Sequence, residues 1–264
     1  MNDTASKLSK ILETKAAIKQ AIIDKGIEVP DGTTFDEYPN KIAAIEGGGN
    51  NTYIKPDFFE IRTLGNTNYK GLFYEYDITT LDLSNWDTSK VTTLEYMFAF
   101  CSVVELNLSN WNTDNITNME NVFRGCWDLT SLDLTGWNTE NVKYMSYLFY
   151  SCENLTDLDL SHFNTSNMTS MVYMFQDCKE LTTLNLSNFD TSKVSGTISG
   201  LFNRCYKLHT LRLDNCSNDT INKIITSTGF PTDTIEGVTR KLYCKEANAA
   251  GLTAPTNWEF EYVD

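Results

Sequence analysis

The hydrophobic positions of the chain follow one pattern that returns five times between residues 72 and 213. Each copy has an apolar pair ending in phenylalanine, a cysteine three residues later, and then a leucine–any–leucine triplet. The pairs begin at Met97, Val122, Leu148, Met174 and Leu201; the cysteines are Cys101, Cys126, Cys152, Cys178 and Cys205; the triplets begin at Leu106, Leu132, Leu158, Leu184 and Leu211. An earlier copy runs Leu72-Phe73, Tyr76 and Leu81, and successive triplets begin 25, 26, 26, 26 and 27 residues apart. A fixed period in the twenties is typical of repeats that stack on one another.

One copy predicts its own local structure. In Leu81-Asp82-Leu83 the leucines share one face and Asp82 takes the other, as the two-residue period of a strand requires. An aromatic residue, an Asp or Asn and a threonine follow, and these short polar side chains predict a turn in which they bond back to the local backbone. The apolar residues from Val91 to Cys101 then recur at steps of three and four, which predicts a short helix.

Because no copy can bury its apolar face alone, the copies are predicted to stack around one core. The expected fold is an α/β leucine-rich-repeat solenoid with a parallel sheet on one face, capped at both ends, plus a small N-terminal helical module. Its inward side chains are the leucines, the cysteines and the aromatic residues of the turn. The aromatic residues are Trp86, Trp111, Trp137, Phe163 and Phe189, and the turn threonines are Thr88, Thr113, Thr139, Thr165 and Thr191.

Composition changes divide the chain into three parts. Residues 1–46 form a predicted helical module, residues 47–52 a Gly-rich linker, and residues 53–264 the solenoid with its caps, with repeats at about 72–213 and a C-terminal cap at 214–264. A capping strand is expected from Asp57 to Ile61. In the C-terminal cap, Asp219 to Thr226 is predicted to be helical, and Arg240 to Cys244 and Trp258 to Val263 are predicted strands with a short helix between them.

The N-terminal module carries apolar residues on one side of its first helix. Leu8, Ile11, Ile18 and Ile22 are expected to bury against copies of the same chain or against a docking partner. The alternative is a helical hairpin that folds on itself or on the solenoid.

The net charge and the composition limit the classes of partner that the chain is expected to bind. The net charge of −14 and a pI of about 4.6 make nucleic acid and anionic membranes poor partners. No apolar run approaches the ~20 residues that a membrane span needs, and the first residues lack the apolar core of a secretory signal. Five of the seven cysteines occupy one slot of the repeat, so we expect buried thiols rather than a disulfide framework.

The residues that could carry catalysis are few. His162 and His209 stand in different slots of their repeats and make no pair with a consistent nucleophile. No CxxC, HExxH, GxSxG or phosphate-loop pattern occurs, so we expect no catalysis, no resident metal and no cofactor.

The repeats resemble a known family. The segments LDLSNWDTSKV, LNLSNWNTDNI, LDLTGWNTENV, LDLSHFNTSNM and LNLSNFDTSKV, each followed by the phenylalanine–cysteine segment, resemble the BspA-like leucine-rich repeats of bacterial surface proteins. The resemblance covers about residues 72–213. It implies adhesion or protein recognition at a surface, without catalysis, and it brings no fixed binding residues with it.

A second resemblance concerns the N-terminal module. The stretch LSKILETKAAIKQAIIDKGIEVPDGTTFDEYPNKIAAI is similar to a short helical module of tail and other virion proteins of phages that infect gut bacteria. Together the resemblances imply a phage virion protein of the tail, baseplate or head-fibre type. Residues 1–46 would bind other virion proteins and form a homo-oligomer, and the solenoid would bind a host-surface protein or glycan. The alternatives are a bacterial cell-surface adhesin, an intracellular scaffold and a cryptic enzyme.

The outward strand positions form the candidate binding surface. Its middle column reads Asp82, Asn107, Asp133, Asp159, Asn185 and Arg212, and Glu105 and Asp157 stand in the column beside it. Parallel strands lie ~4.8 Å apart, so Asp133, Asp157 and Asp159 are expected to form a dense acidic cluster. A solvated polar face is the alternative to a binding surface, and a calcium site would need six or more oxygen ligands. Exposed tyrosines on the helical side, such as Tyr144, Tyr147 and Tyr173, are further candidate contacts.

Overall fold

The computed structural model describes residues 67–264. The predictions for the helical module, for Leu8, Ile11, Ile18 and Ile22, for the linker and for the capping strand lie outside the described residues. The elements in order are β1 (Thr80–Asp82), β2 (Glu105–Asn107), β3 (Asp157–Asp159), β4 (Thr183–Asn185), β5 (Thr210–Arg212), α1 (Asn218–Ile225), β6 (Arg240–Cys244), a 3-10 helix (Glu246–Asn248) and β7 (Trp258–Tyr262).

The strands pair in parallel, each with the strand of the next repeat. β1 pairs with β2, and β3 to β7 form a five-stranded sheet in chain order. The register aligns equivalent residues, so Leu158 stands beside Leu184 and Leu184 beside Leu211. The predicted C-terminal helix and both C-terminal strands are confirmed, and those strands extend the parallel sheet.

The predicted strand at Leu132 is absent. Residues 131–134 form no strand, and the sheet is interrupted between β2 and β3. Leu106 and Leu132 are half-buried on either side of this interruption, whereas the leucines of the other triplets are buried. Asp133 would stand opposite the acidic strand β3, and like charges on facing strand positions disfavour pairing.

The predicted inward side chains are buried. The turn aromatics Trp86, Trp111, Trp137, Phe163 and Phe189 are at most 4% exposed. Phenylalanines of six successive repeats form a continuous stack with ring centroids 5.4 to 5.7 Å apart: Phe73, Phe98, Phe123, Phe149, Phe175 and Phe202. Each repeat therefore buries its apolar residues against the equivalent residues of its neighbours.

The predicted short helix in each repeat is wrong. In its place is a surface that we call the turn ribbon, formed by residues 69–76, 94–101, 119–126, 145–152, 171–178 and 198–205. Within it, amides donate alternately to the next repeat and to the same repeat. The Phe98 amide donates to the Val122 carbonyl at 2.9 Å, and the Ala99 amide donates to the Tyr96 carbonyl at 3.1 Å.

Left-handed residues explain why the ribbon is not helical. Tyr96 and Phe100 have φ values of 58° and 61°, and the equivalent residues of the other repeats are also left-handed. A right-handed helix cannot continue through a positive φ at every fourth residue. Tight turns place every third or fourth residue inward, as a helix does, so the apolar spacing alone fitted both structures.

Two ribbon glycines lie under aromatic rings of the preceding repeat. A Cβ atom on Gly125 would lie 2.5 Å from Cδ1 of Phe100, and one on Gly200 would lie 2.3 Å from Cδ1 of Tyr173. Both glycines also have positive φ. These positions combine a left-handed backbone with close contact, and both requirements favour glycine.

The cysteines are buried thiols, as predicted. The Sγ atoms of Cys126, Cys152 and Cys178 each donate to the phenylalanine carbonyl of the preceding repeat at 3.1 Å. Burial raises the pKa of Cys101 to about 12 and raises the pKa of Cys126 well above its ordinary value. The slot thus holds a small side chain that fills the core and also donates a weak hydrogen bond between repeats.

The hydroxyls of three turn threonines bond to the next repeat and not to their own, which corrects the predicted turn at Thr113, Thr139 and Thr165. The Thr113 hydroxyl donates to the Asn138 carbonyl at 3.0 Å, and the Asn138 amide donates back to the hydroxyl at 2.7 Å. Thr165 and Asp190 repeat this exchange. The preceding Asp or Asn does make the predicted local bond, as when the Ser89 amide donates to Asp87 at 3.0 Å.

A buried arginine at the C-terminal end ties three segments together. Arg240 is 1% exposed and donates to the backbone carbonyls of Tyr206, Leu208 and Asp233. Its guanidinium lies 5.5 Å from the ring centroid of Trp258, and burial lowers its pKa. A cavity of 410 Å³ opens beside these two residues.

The contact of Gly200 with Tyr173 predicts a difference between two glycines of one repeat. Gly196→Ala, where φ is 71° and no atom lies within 4 Å of the added Cβ, is expected to cost only the left-handed backbone strain, about 1 to 2 kcal/mol. Gly200→Ala adds the clash with the Tyr173 ring and is expected to cost roughly 1 to 3 kcal/mol more. Urea unfolding of both variants measures the difference, and equal losses would contradict the close packing of the ribbon.

Burial of the thiols predicts that the native protein resists thiol reagents. At pH 8 the raised pKa values of Cys101 and Cys216 keep these thiols protonated, and burial of all seven cysteines excludes the reagent. We expect Ellman's reagent to leave the native protein unlabelled over minutes and to react with all seven cysteines in denaturant. Rapid labelling of even one thiol in the native state would show that the slot opens to solvent.

Candidate functional site on the sheet face

The structure places the predicted surface residues on one face of the strands. Glu105 and Asn107 are exposed at the ends of β2, and Asp157 and Asp159 are exposed at the ends of β3. Register aligns Asp82 with Asn107, and it aligns Asp159 with Asn185 and then with Arg212. Asp82, Asn185 and Arg212 are half-buried, and Asp133 is exposed outside any strand.

The middle column has a structural role in every repeat but the last. Its side-chain oxygen accepts the backbone amide two residues further on, which turns the chain out of the strand. The bonds are Asp82 to Ser84 at 3.0 Å, Asn107 to Ser109 at 3.1 Å, Asp133 to Thr135 at 2.8 Å, Asp159 to Ser161 at 2.8 Å and Asn185 to Ser187 at 3.2 Å. Asp and Asn offer the same acceptor atom, which explains why either residue serves.

These hydrogen bonds also stabilise the ionised carboxylates. The Ser84 backbone amide lowers the pKa of Asp82, and the Thr135 backbone amide lowers that of Asp133. Partial burial opposes ionisation at Asp159, but hydrogen bonds from Ser161 outweigh it and the pKa is lowered. The face is therefore negatively charged at neutral pH.

The side chains of the flanking column accept fewer local hydrogen bonds than those of the middle column. Asp157 accepts a long bond of 3.4 Å from the Thr182 hydroxyl, and its register partner is Thr183. Glu105 pairs in register with Thr80. These two exposed carboxylates are the site residues most available to a partner.

The expected acidic cluster is brought together only in part. Asp157 and Asp159 lie on one strand, whereas Asp133 lies in the unpaired segment between the two sheets. Among residues 67–264 no group of three or more His, Cys, Asp or Glu side chains is placed to hold a metal ion. The arrangement offers separate carboxylates along a flat polar face.

Arg212 ends the column with a compensated charge. Its Nε donates to Oδ2 of Asp214 at 3.2 Å, and the same oxygen accepts from Nη2. The guanidinium lies 5.0 Å from the ring centroid of Tyr243 on β6. In the last repeat the acidic residue therefore stands two residues later in the chain, at Asp214, and Arg212 stabilises the turn there.

The two histidines have separate local partners. His162 Nε2 lies 2.8 Å from the Leu134 carbonyl, and His209 Nδ1 lies 3.0 Å from the Thr210 hydroxyl. Each imidazole is therefore held within its own part of the stack.

The tyrosine candidates lie on the turn ribbon or at its edge. Tyr144 is 44% exposed, and Tyr147 and Tyr173 are half-buried with ring centroids 5.2 Å apart. Sequence reasoning missed Arg124 and Trp127, which extend this surface. Aligning the repeats on their phenylalanines would have placed Arg124 beside Tyr150, but the assumption of a helix hid that column.

A protein-family profile matches more than half of the chain. The profile of the family described as "Mycoplasma protein of unknown function, DUF285" matches residues 67–158 and again residues 125–228, which together exceed half of the chain. No curated protein and no solved structure matches the chain. Within residues 67–264, no helix is both long and apolar enough to cross a membrane.

The turn bond of Asp82 predicts how two substitutions differ. Asp82→Asn keeps the acceptor and should change stability little at pH 7, whereas Asp82→Ala should cost about 1 kcal/mol because the Ser84 amide loses its partner. Since the folded pKa lies below the unfolded one, the contribution of the carboxylate is present above about pH 4 and is lost as the pH falls below it. Thermal melts between pH 3 and pH 7 test this, and an Asn variant as unstable as the Ala variant would contradict it.

Proposed function

Because the chain belongs to the DUF285 family of Mycoplasma proteins of unknown function, we propose that it is a non-enzymatic recognition protein built on a BspA-like leucine-rich-repeat solenoid. In this proposal it is carried on a phage virion as a tail, baseplate or head-fibre component. Its repeats bind a host-surface protein or glycan, for adhesion to the host or for decoration of the particle.

The leucine-rich-repeat assignment rests on the strands. Four of the six leucine–any–leucine triplets have both leucines buried and the intervening polar residue outward, and the strands that pair do so in parallel at equivalent residues. Repeats of this class combine a strand with a variable second segment. The turn ribbon takes the place of that segment here.

The observation that carries the recognition role is the exposed acidic face on a rigid stack. The middle column is fixed by its turn bonds, and Glu105, Asp157 and Asp159 project from the face as exposed carboxylates. A preorganised surface loses little conformational entropy on binding. Its negative charge favours a basic region of a protein partner over an acidic one.

Attachment to the particle is proposed for residues 1–46. Leu8, Ile11, Ile18 and Ile22 would bury against copies of the same chain or against other virion proteins. Molecular mass in solution tests the self-association, comparing the full chain with a chain that starts at residue 53. A monomeric full chain would contradict it.

A bacterial cell-surface adhesin is the second candidate, and the family description favours it because it names a cellular organism. The two candidates differ in where the chain is found. Mass spectrometry of purified particles and of washed cell envelopes separates them, since the virion proposal expects the chain in particles at stoichiometric amounts. Its restriction to envelopes would contradict that proposal.

Recognition by the acidic face predicts a charge-dependent binding to host cells. Full-length protein carrying Asp157→Asn and Asp159→Asn keeps the turn acceptor at residue 159 but loses two charges, and we expect several-fold weaker binding to host cells at low salt. Binding of the unchanged protein should also weaken as salt rises, because exposed charges are screened. The matched control is Glu140→Gln with Glu236→Gln, which removes two exposed carboxylates that lie outside the strands. Equal binding by all three proteins would contradict the role of this face.

A further inference from the structure

The turn ribbon, together with Trp127 at its edge, carries two groups of aromatic rings that extend across five repeats. We call them together the ring array: Tyr74, Phe100, Trp127, Tyr147, Tyr150 and Tyr173. Tyr74 and Phe100 lie 5.6 Å apart, Phe100 and Trp127 5.7 Å, and Tyr147 lies 5.7 Å from Tyr150 and 5.2 Å from Tyr173. Four steps of about 4.8 Å between repeats make the array roughly 20 Å long.

Arg124 joins the two halves of the array. Its guanidinium lies 5.5 Å from the Phe100 ring centroid, 5.3 Å from that of Tyr147 and 4.9 Å from that of Tyr150. It also donates to Oδ1 of Asn121 at 3.2 Å. Contact with three rings and one amide fixes this cation among its neighbours.

Some rings of the ring array help to pack the repeats, whereas the fold does not require the others. Phe100 and Tyr173 cover glycines of the next repeat, so their rings help to pack the ribbon. Tyr74 and Trp127 are each 42% exposed, at one end and on the flank of the array. The other four tryptophans are at most 4% exposed, so Trp127 is the tryptophan that the fold leaves in solvent.

The chemistry of the array fits a sugar polymer. Ring faces pack against the C–H faces of sugars, and the tyrosine hydroxyls and the amide of Gln176, which donates to Tyr150 at 3.4 Å, offer hydrogen bonds beside them. A linear array with a regular step suits a linear polymer, which can contact several repeats at once.

The charged side chains around the ring array indicate which class of polysaccharide it favours. Glu75 is exposed beside Tyr74, Glu95 pairs with Lys70 at 2.8 Å, and Glu120 is half-buried on the same ribbon. The one cation within the array, Arg124, is already held between rings. Anionic polymers would meet these carboxylates without a free counter-charge, so the surface favours an uncharged chain.

We propose that the turn ribbon is a binding surface for a neutral, unbranched polysaccharide, which lies across the repeats on the ring array. This surface is separate from the acidic sheet face and goes beyond the function proposed above.

Affinity gel electrophoresis of the full-length protein tests the proposal. The gels contain soluble neutral polysaccharides in turn (a linear β-glucan, a xylan, a mannan and a dextran), and an anionic polygalacturonate gel is the charge control. We expect retardation by at least one neutral polymer and none by polygalacturonate. Acrylamide quenching gives a second readout, because only Trp127 is accessible to the quencher and bound sugar should shield it.

The variants use the exposed residues, so that folding is preserved. Tyr74→Ala with Trp127→Ala should weaken the retardation about tenfold or more. The matched control, Tyr206→Ala, removes a 49% exposed tyrosine outside the array and should bind as the unchanged protein does. Thermal melts establish that the variants are folded.

Three results would overturn the proposal: no retardation by any neutral polymer, equal retardation of the double variant, or stronger retardation by polygalacturonate. Loss of binding in the Asp157→Asn, Asp159→Asn protein with the ring-array variant unaffected would also overturn it. That last result would still support binding by the acidic sheet face, so the experiments distinguish failure of the ring-array proposal from failure of the sheet-face proposal. Host-cell binding that protease treatment of the cells abolishes, together with failure in all neutral gels, would assign the ring array to a protein partner and reject the polysaccharide.

Discussion

Hydrogen bonds from each repeat to the next, made by the backbone in the same register every time, are the constraint on which the rest of the structure depends. They occur along the strands and again along the turn ribbon, where the amides of Tyr96 and Phe98 donate to the carbonyls of Glu120 and Val122. Since the register is fixed along the turn ribbon and also, except at residues 131–134, along the strands, equivalent side chains must stack directly on one another. The phenylalanine stack, the cysteine slot and the threonine exchange all follow from that alignment.

The same alignment determines what the surface can present. On the sheet face, the middle column closes each strand with a turn bond, so its carboxylates and amides are both structural and exposed. On the ribbon, left-handed residues turn aromatic side chains outward and set them over glycines of the next repeat. One repeat unit thus produces two ordered surfaces of different chemistry, an acidic polar face and an aromatic one.

Much of the stack could be predicted from the sequence because the period reports the stacking directly. The buried Leu, Trp, Phe and Cys residues and the C-terminal helix and strands were predicted correctly. The helix in each repeat was not, because steps of three and four residues describe tight turns as well as a helix. Positive φ at residues such as Tyr96 and Tyr147 leaves no clear mark in the sequence, although Gly71 and Gly200 at the equivalent positions are a partial signal.

Features that depend on contacts between distant residues were harder to predict. Thr113 bonds to the following repeat, and Arg240 finds its carbonyl partners 32 and 34 residues earlier in the chain, so neither pattern is local. The loss of the strand at Leu132 needs knowledge of the charges on the neighbouring repeat. At the candidate site, the repeat period alone predicted which outward side chains align in columns across the strands. It could not show which carboxylates hold a turn and which are available to a partner, because that depends on the turn hydrogen bonds.

Scalar couplings across hydrogen bonds test the central claim most directly. In a deuterated, isotope-labelled sample, the two-register account predicts couplings from the amide nitrogens of Tyr96 and Phe98 to the carbonyl carbons of Glu120 and Val122 in the next repeat. A helix in each repeat would instead couple Phe98 to Leu94, four residues earlier in the chain. Couplings of that second kind, with none between repeats, would contradict the account.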